Sequence, residues 1–156
     1  MANSTANSQT SIQITKIYQA PREKVFEAWT TPEALKQWFG PSDDFKTPSV
    51  EVDLRVGGKY RIQMLAPNGE SHIVGGTYKE ISAPGKLVFT WAWEAGGGCG
   101  DTEPGATTET LVTVEFRNRD GETEMVLTHE QFPNPESREK HNEGWGGCLD
   151  RLRTAI

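Results

Sequence analysis

The first ten positions, Met1 to Thr10, are Met followed by Asn, Ser, Thr, Ala and Gln, with nothing to bury, and predict a disordered N-terminal arm. Apolar residues begin at Ile12, Ile14 and Ile17, a strand over Ser11 to Tyr18 whose alternation changes phase near Thr15 to Ile17, as a bulge would produce. The period then lengthens. Pro21 opens a short helix with Val25, Ala28 and Trp29 inward, and Thr31-Pro32-Glu33 starts a second with Leu35 and Trp38 inward, ended by Gly40-Pro41. From Phe45 the period is two. Val50, Val52 and Leu54 alternate with Glu51, Asp53 and Arg55; after Gly57-Gly58, Tyr60, Ile62 and Met64 alternate with Lys59, Arg61 and Gln63. Ser71 to Ile81 is a further strand, in which Gly75-Gly76 marks a bend or bulge. Leu87, Phe89, Trp91 and Trp93 share one face of the next. Ala95 to Ala106 breaks every periodicity and reads as a mobile loop. Val112, Val114 and Phe116, then an Asp120-Gly121 hairpin turn, then Met125, Leu127 and His129 complete the strands.

Pro133 to Ile156 carries the only long helical pattern. Asn134 suits the N-cap, Pro135 the first helical position and Glu136 the first turn. His141, Trp145, Cys148, Leu149, Leu152 and Ile156 then recur at the spacing of one helical face. Such a helix is about 30 Å long, enough to line a small sheet. Gly144, Gly146 and Gly147 interrupt it, each costing roughly 1 kcal/mol against alanine. Close packing of the helix on another backbone is the first explanation, and a gap beside the Trp145 indole the second. Short turns between successive strands imply an antiparallel meander, whose apolar face needs this helix as a cover.

Composition narrows the function classes. In 156 residues, 16 Lys and Arg against 22 Asp and Glu give a net charge of -6, without a basic cluster, so neither nucleic acid nor an anionic membrane is an expected partner. The two cysteines, Cys99 and Cys148, form no metal or disulfide framework and read as free thiols. No segment has the length of a membrane span or the form of a signal peptide, so a cytoplasmic location is expected. His72, His129 and His141 lack ligand spacing, no nucleotide or phosphate loop is present, and no metal or cofactor is expected.

Six motifs in order are distinctive: Ala20 to Trp29 (Ala-Pro-Arg-Glu-Lys-Val-Phe-Glu-Ala-Trp); Trp38-Phe39-Gly40-Pro41; Gly57-Gly58-Lys59-Tyr60; Gly76-Thr77-Tyr78 with Leu87 to Trp91; Leu127 to Phe132; and Gly144-Trp145 with Leu149 to Leu152. Over Ser11 to Ala155 the chain resembles the family of activator of heat-shock protein 90 ATPase homologues, in the START-like (SRPBCC) superfamily. The resemblance implies an α+β helix-grip fold, as in the birch-pollen allergen: a curved antiparallel sheet of about six to seven strands wrapped on a long C-terminal helix, with two short helices after the first strand. One START-like domain over residues 11–156 is expected.

The resemblance also implies a cavity between sheet and helix for an apolar or amphipathic small molecule. Its lining would come from Trp38 on the second short helix; Tyr60, Met64, Trp91, Trp93, Val112, Val114, Met125, Leu127 and His129 on the strands; and Trp145, Cys148, Leu149 and Leu152 on the last helix. The bland alternative is that these side chains fill a core, the commoner fate of such residues. Trp91 and Trp145 are expected to meet across the gap. His129 can exchange a proton near neutral pH, or be a core histidine with bonded nitrogens. Trp29 to Pro41 and Ala95 to Ala106 are the segments expected at the cavity mouth. Three functions follow as expectations: binding of an apolar or amphipathic ligand; a co-chaperone-like stress-response role with a chaperone partner; or a cyclase or hydrolase using His129, His141, Tyr60 or Glu143 as acid or base. A monomer or weak dimer is expected.

Overall fold

The structure, a computed structural model, describes residues 10–40, 44–93, 109–132 and 135–156. The expected arm up to residue 9, Pro41, the 95–106 loop with Cys99, and the Asn134 cap lie outside the described residues. The elements run β1 (Ser11–Tyr18), α1 (Arg22–Thr30), α2 (Pro32–Trp38), β2 (Lys46–Val52), β3 (Lys59–Leu65), β4 (Ser71–Ser82), β5 (Lys86–Trp93), β6 (Thr110–Arg119), β7 (Glu122–Glu130) and α3 (Pro135–Ala155). The seven strands form one antiparallel sheet in the order β1-β7-β6-β5-β4-β3-β2. This is the helix-grip arrangement: β2 to β7 are a meander, β1 closes against the last strand, and α3 presents Ser137, His141, Trp145, Cys148, Leu149 and Leu152 as its buried side.

Sequence chemistry explains most boundaries. Pro32, with its fixed φ and no amide donor, occupies the first turn of α2, where that donor would have no partner. Asp120 and Gly121 both have positive φ, 53° and 86°, as the two-residue β6–β7 turn requires for its twist to match the strands. At Gly76 an added Cβ would lie 2.0 Å from the carbonyl oxygen of Thr90, so β4 and β5 approach there in a way only glycine permits. The Thr77 amide leaves the strand ladder for the Thr90 hydroxyl (2.8 Å), and the register slips just beyond, between Tyr78 and Glu80. The irregularity of β4 therefore lies a few residues past the paired glycines, at Tyr78 to Glu80.

Two local expectations are corrected. β1 pairs with β7 without interruption from Ser11↔Glu130 to Tyr18↔Thr123, so it has no bulge; Ile12, Ile14, Lys16 and Tyr18 share one face, and Ile17 lies on the other, 38% exposed. Leu54 lies beyond β2, on an exposed turn tied down by the Gly58 amide on the Arg55 carbonyl and the Gly57 amide on the Tyr78 carbonyl. The alternation ran past the strand because the turn itself uses the Asp53 and Arg55 pair, 2.9 Å apart.

α3 also guards the free edge of β1. Arg138 donates to the Ser11 carbonyl (3.0 Å), Arg153 to that of Ile17 (3.4 Å), and Lys16 pairs with Asp150 (3.6 Å). The opposite edge strand, β2, carries Pro48, which cannot donate to an added strand.

Candidate functional site

The packed space between sheet and helix is aromatic. Trp145 of α3 meets Trp91 of β5 at 5.0 Å between ring centroids, as the sequence suggests, and Trp29 of α1 at 5.8 Å; Phe39, just past α2, lies edge-on to Trp145 at 6.0 Å. Trp38 packs on Trp29 at 4.9 Å and donates its N–H to the Ala28 carbonyl (2.9 Å). Val112, Val114, Met125, Leu127, Leu149 and Leu152 are fully buried in the same core, and line neither of the interior hollows.

The histidines are wired into this core. The Trp145 indole donates to Nδ1 of His129 (2.9 Å), so Nε2 carries the proton and donates to the Thr110 hydroxyl (2.7 Å), which donates in turn to the Trp91 carbonyl (3.1 Å). The Trp93 indole donates to Nε2 of His141 (2.9 Å), which places the proton on Nδ1, facing the Ser137 carbonyl at 2.8 Å. An indole can only donate, so each imidazole is held neutral in one tautomer. Burial, reinforced by His141 at 5.3 Å, holds the His129 pKa well below that of an ordinary histidine. Both ring nitrogens of each are engaged within the protein, which leaves no lone pair for a substrate proton. Tyr60 donates to the Thr90 carbonyl (2.6 Å), and burial pushes its hydroxyl pKa well above the usual phenol value. Glu143 is exposed. The four acid or base candidates are thus not gathered around a common free volume.

Of three hollows bordered by these side chains, one of about 450 Å³ is lined by Glu51, Lys59, Arg61 and Thr77 with Tyr60 and Trp93, and two lie within the aromatic core. The larger of these two, about 50 Å³, is lined by Phe39, Met64, Trp91, Trp93, Lys140, His141, Gly144, Trp145 and Cys148. The smaller, about 20 Å³, lies between Trp29, Leu35, Phe39, Tyr60, Ile62, Tyr78, Leu87, Phe89 and Trp91. Five of the expected lining residues, Met64, Trp91, Trp93, Trp145 and Cys148, therefore face the larger hollow and Tyr60 the smaller. His129 faces neither. Phe39, Lys140, His141 and Gly144 were absent from the expected lining. Lys140 and Gly144 stand four residues apart on one helix face, and His141 lies in the helix stripe, so the spacing of α3 carried that signal.

Two of the three α3 glycines, Gly144 and Gly146, run against the first explanation. Among the described residues, a Cβ at Gly144 or at Gly146 would meet nothing within 4 Å, so the approach of a described backbone accounts for neither. Gly144 instead leaves open space on the wall of the larger hollow. A second irregularity lies nearby. The indole N–H groups of Trp29 and Trp91 are buried without a hydrogen-bond partner among the described residues, a state that costs about 1–3 kcal/mol for each such group. Among the described residues no cluster of His, Cys, Asp and Glu could hold a metal ion, and no helix is long and apolar enough to cross a membrane.

The family model described as "Activator of Hsp90 ATPase homolog 1-like protein" matches residues 19–156. Solved structures with the same fold include a protein from Chromobacterium violaceum (24% identity, 94% of this chain and 96% of that one, TM-score 0.79). Others are the AHSA1-like protein from Aeromonas hydrophila (25%, 93% and 92%, TM-score 0.72) and the AHSA1 protein from Silicibacter pomeroyi (23%, 92% and 95%, TM-score 0.76). No curated protein matches the chain.

Proposed function

Since the chain belongs to the activator of Hsp90 ATPase homolog 1-like family, we propose that it is a binding protein for a small apolar molecule, held between β3, β5 and α3 beside Gly144. The observation that carries this reading is the hollow at a helical glycine whose absent side chain meets nothing. A glycine inside a helix costs about 1 kcal/mol, and without a packing reason the remaining use of the missing side chain is the space itself. The surroundings suit an apolar guest, since the His141 imidazole on the wall and the His129 imidazole behind it are neutral and internally bonded. At about 50 Å³ the hollow is well below the roughly 150 Å³ of a cavity that takes up benzene. The guest is therefore admitted as the walls give way. Met64, unbranched and polarizable, and Lys140, exposed at the rim, are the lining side chains best able to move.

Isopropylbenzene and naphthalene, followed by calorimetry and by fluorescence of the core tryptophans, test the reading. Stoichiometric binding and a raised Tm are expected. Gly144→Leu, which fills the hollow, is expected to abolish binding without lowering Tm. Gly146→Ala, on the same helix but away from the hollow, is expected to add up to about 1 kcal/mol of stability and leave binding unchanged. If the wild type binds neither probe, or Gly144→Leu binds them as the wild type does, the site is not a ligand site.

A further inference from the structure

Among the five tryptophans the hydrogen bonds divide sharply. Trp38, Trp93 and Trp145 each donate at 2.9 Å, to the Ala28 carbonyl, His141 and His129. Trp29 and Trp91 donate to nothing among the described residues, although they are only 3% and 5% exposed. Trp91 is the side chain that, with Phe39, forms a wall of both hollows, and Trp29 is a wall of the smaller one. The acceptors around them are already used. Nε2 of His141 takes the Trp93 proton, Nδ1 of His129 takes that of Trp145, and the Thr90 and Trp91 carbonyls take the Tyr60 and Thr110 hydroxyls. The interior thus has spare donors and its nearby acceptors are engaged. Among the described residues, Lys140 is the only side chain of formal charge on either wall, and it is exposed at the rim.

From this imbalance we propose that the site selects uncharged apolar ligands that carry a hydrogen-bond acceptor, such as an aryl ketone, ester or ether, with the oxygen taken by the Trp91 indole N–H. The inference rests on the hollow being a ligand site and adds the chemical class of the ligand. An apolar guest without an acceptor leaves the indole as unsatisfied as before. A carboxylate entering the hollow would lose its hydration with no buried cation to replace it. A guest rich in N–H groups would meet donors with its own donors.

Acetophenone, isopropylbenzene and benzoate share one shape and differ in this chemistry. Water hydrates the ketone more strongly than the hydrocarbon, so the informative quantity is the change in each affinity when the N–H is removed. Trp91→Phe is expected to weaken acetophenone binding about tenfold, one net hydrogen bond, and to change isopropylbenzene binding less than about twofold. In the unmutated protein, the Trp91 indole proton resonance is expected to move downfield with acetophenone and not with isopropylbenzene, which guards against a variant that fails to fold. Equal losses for the two probes, an indole resonance blind to the ketone, or benzoate binding as tightly as acetophenone would overturn the inference while the ligand site stands. Binding of none of the three removes the ligand site itself.

Discussion

Trp145→Ala is expected to lower the free energy of unfolding by about 3–5 kcal/mol, the range for deleting a large buried aromatic side chain. The indole is 3% exposed, is surrounded by the rings of Trp29, Trp91 and Phe39, and supplies the proton that satisfies Nδ1 of His129. Its removal opens a void across the sheet–helix interface and leaves a buried acceptor unmet. Trp145→Phe keeps most of the volume and loses only the donor, for about 1–3 kcal/mol. Urea unfolding monitored by circular dichroism separates the cases, with midpoints ordered wild type, Phe variant, Ala variant. Against a typical total of about 5–15 kcal/mol, the alanine variant gives up a large share of the fold's stability. A loss under about 1 kcal/mol for Trp145→Ala would mean that α3 is not gripped as described.

Acidification is expected to have the second largest effect, through His129. Above pH 6.5 both the folded and the unfolded chain hold this imidazole neutral, and it contributes no pH dependence. Below 6.5 the unfolded chain takes up a proton that the native core refuses, because the folded pKa is held well below the ordinary value by burial and by His141. Stability then falls with falling pH, by up to about 1.4 kcal/mol per pH unit for this one group, until the pH reaches the folded pKa. Nothing acidic offsets this locally, since the partners of the His129 ring are Trp145, Thr110, Trp91, Phe132 and His141. Most carboxylates titrate near pH 4, so the interval from 6.5 to 5 separates the histidines from the carboxylates, and the difference between the wild type and a His129 variant isolates this one. Unfolding free energies of the wild type and of His129→Gln across that interval give the measurement. The variant, whose amide can accept from Trp145 and donate to Thr110, should show a slope shallower by about one proton, and parallel slopes would refute the neutral state of His129 in the fold.

Much of the architecture was legible because each element carried its own period and punctuation. Pro21 and Pro32 mark two helix starts, Asp120-Gly121 a turn, and the His141 to Leu152 stripe one helix face. Errors arose where a local pattern had two physical sources. Ile17 resembles a core residue in composition, yet an unbroken pairing with β7 sends it outward. Leu54 continues the alternation of β2 into a turn held partly by the Gly57 amide on the Tyr78 carbonyl, a long-range bond that leaves no mark on the pattern. The site was less legible than the fold. Pattern alone says that Met125, Leu127 and Trp91 face inward, and cannot say that only the last borders free space, because a hollow of 50 Å³ is a residual of packing from four separate elements. Gly144 shows the same limit. Its cost in the helix is visible in the sequence, but whether it permits a close approach or leaves a space is decided by side chains remote along the chain.

The pairing of β1 with β7 has a consequence for synthesis. The partners are more than a hundred residues apart, Tyr18 with Thr123 at the nearer end, whereas every other pair of neighbouring strands belongs to a meander. At about 5–20 residues per second, the leading strand leaves the ribosome on the order of ten seconds before its partner exists. Through that interval Ile12 and Ile14 have no sheet to join, and the nascent chain carries an apolar β-forming segment without its partner strand until the β6–β7 hairpin and α3 emerge.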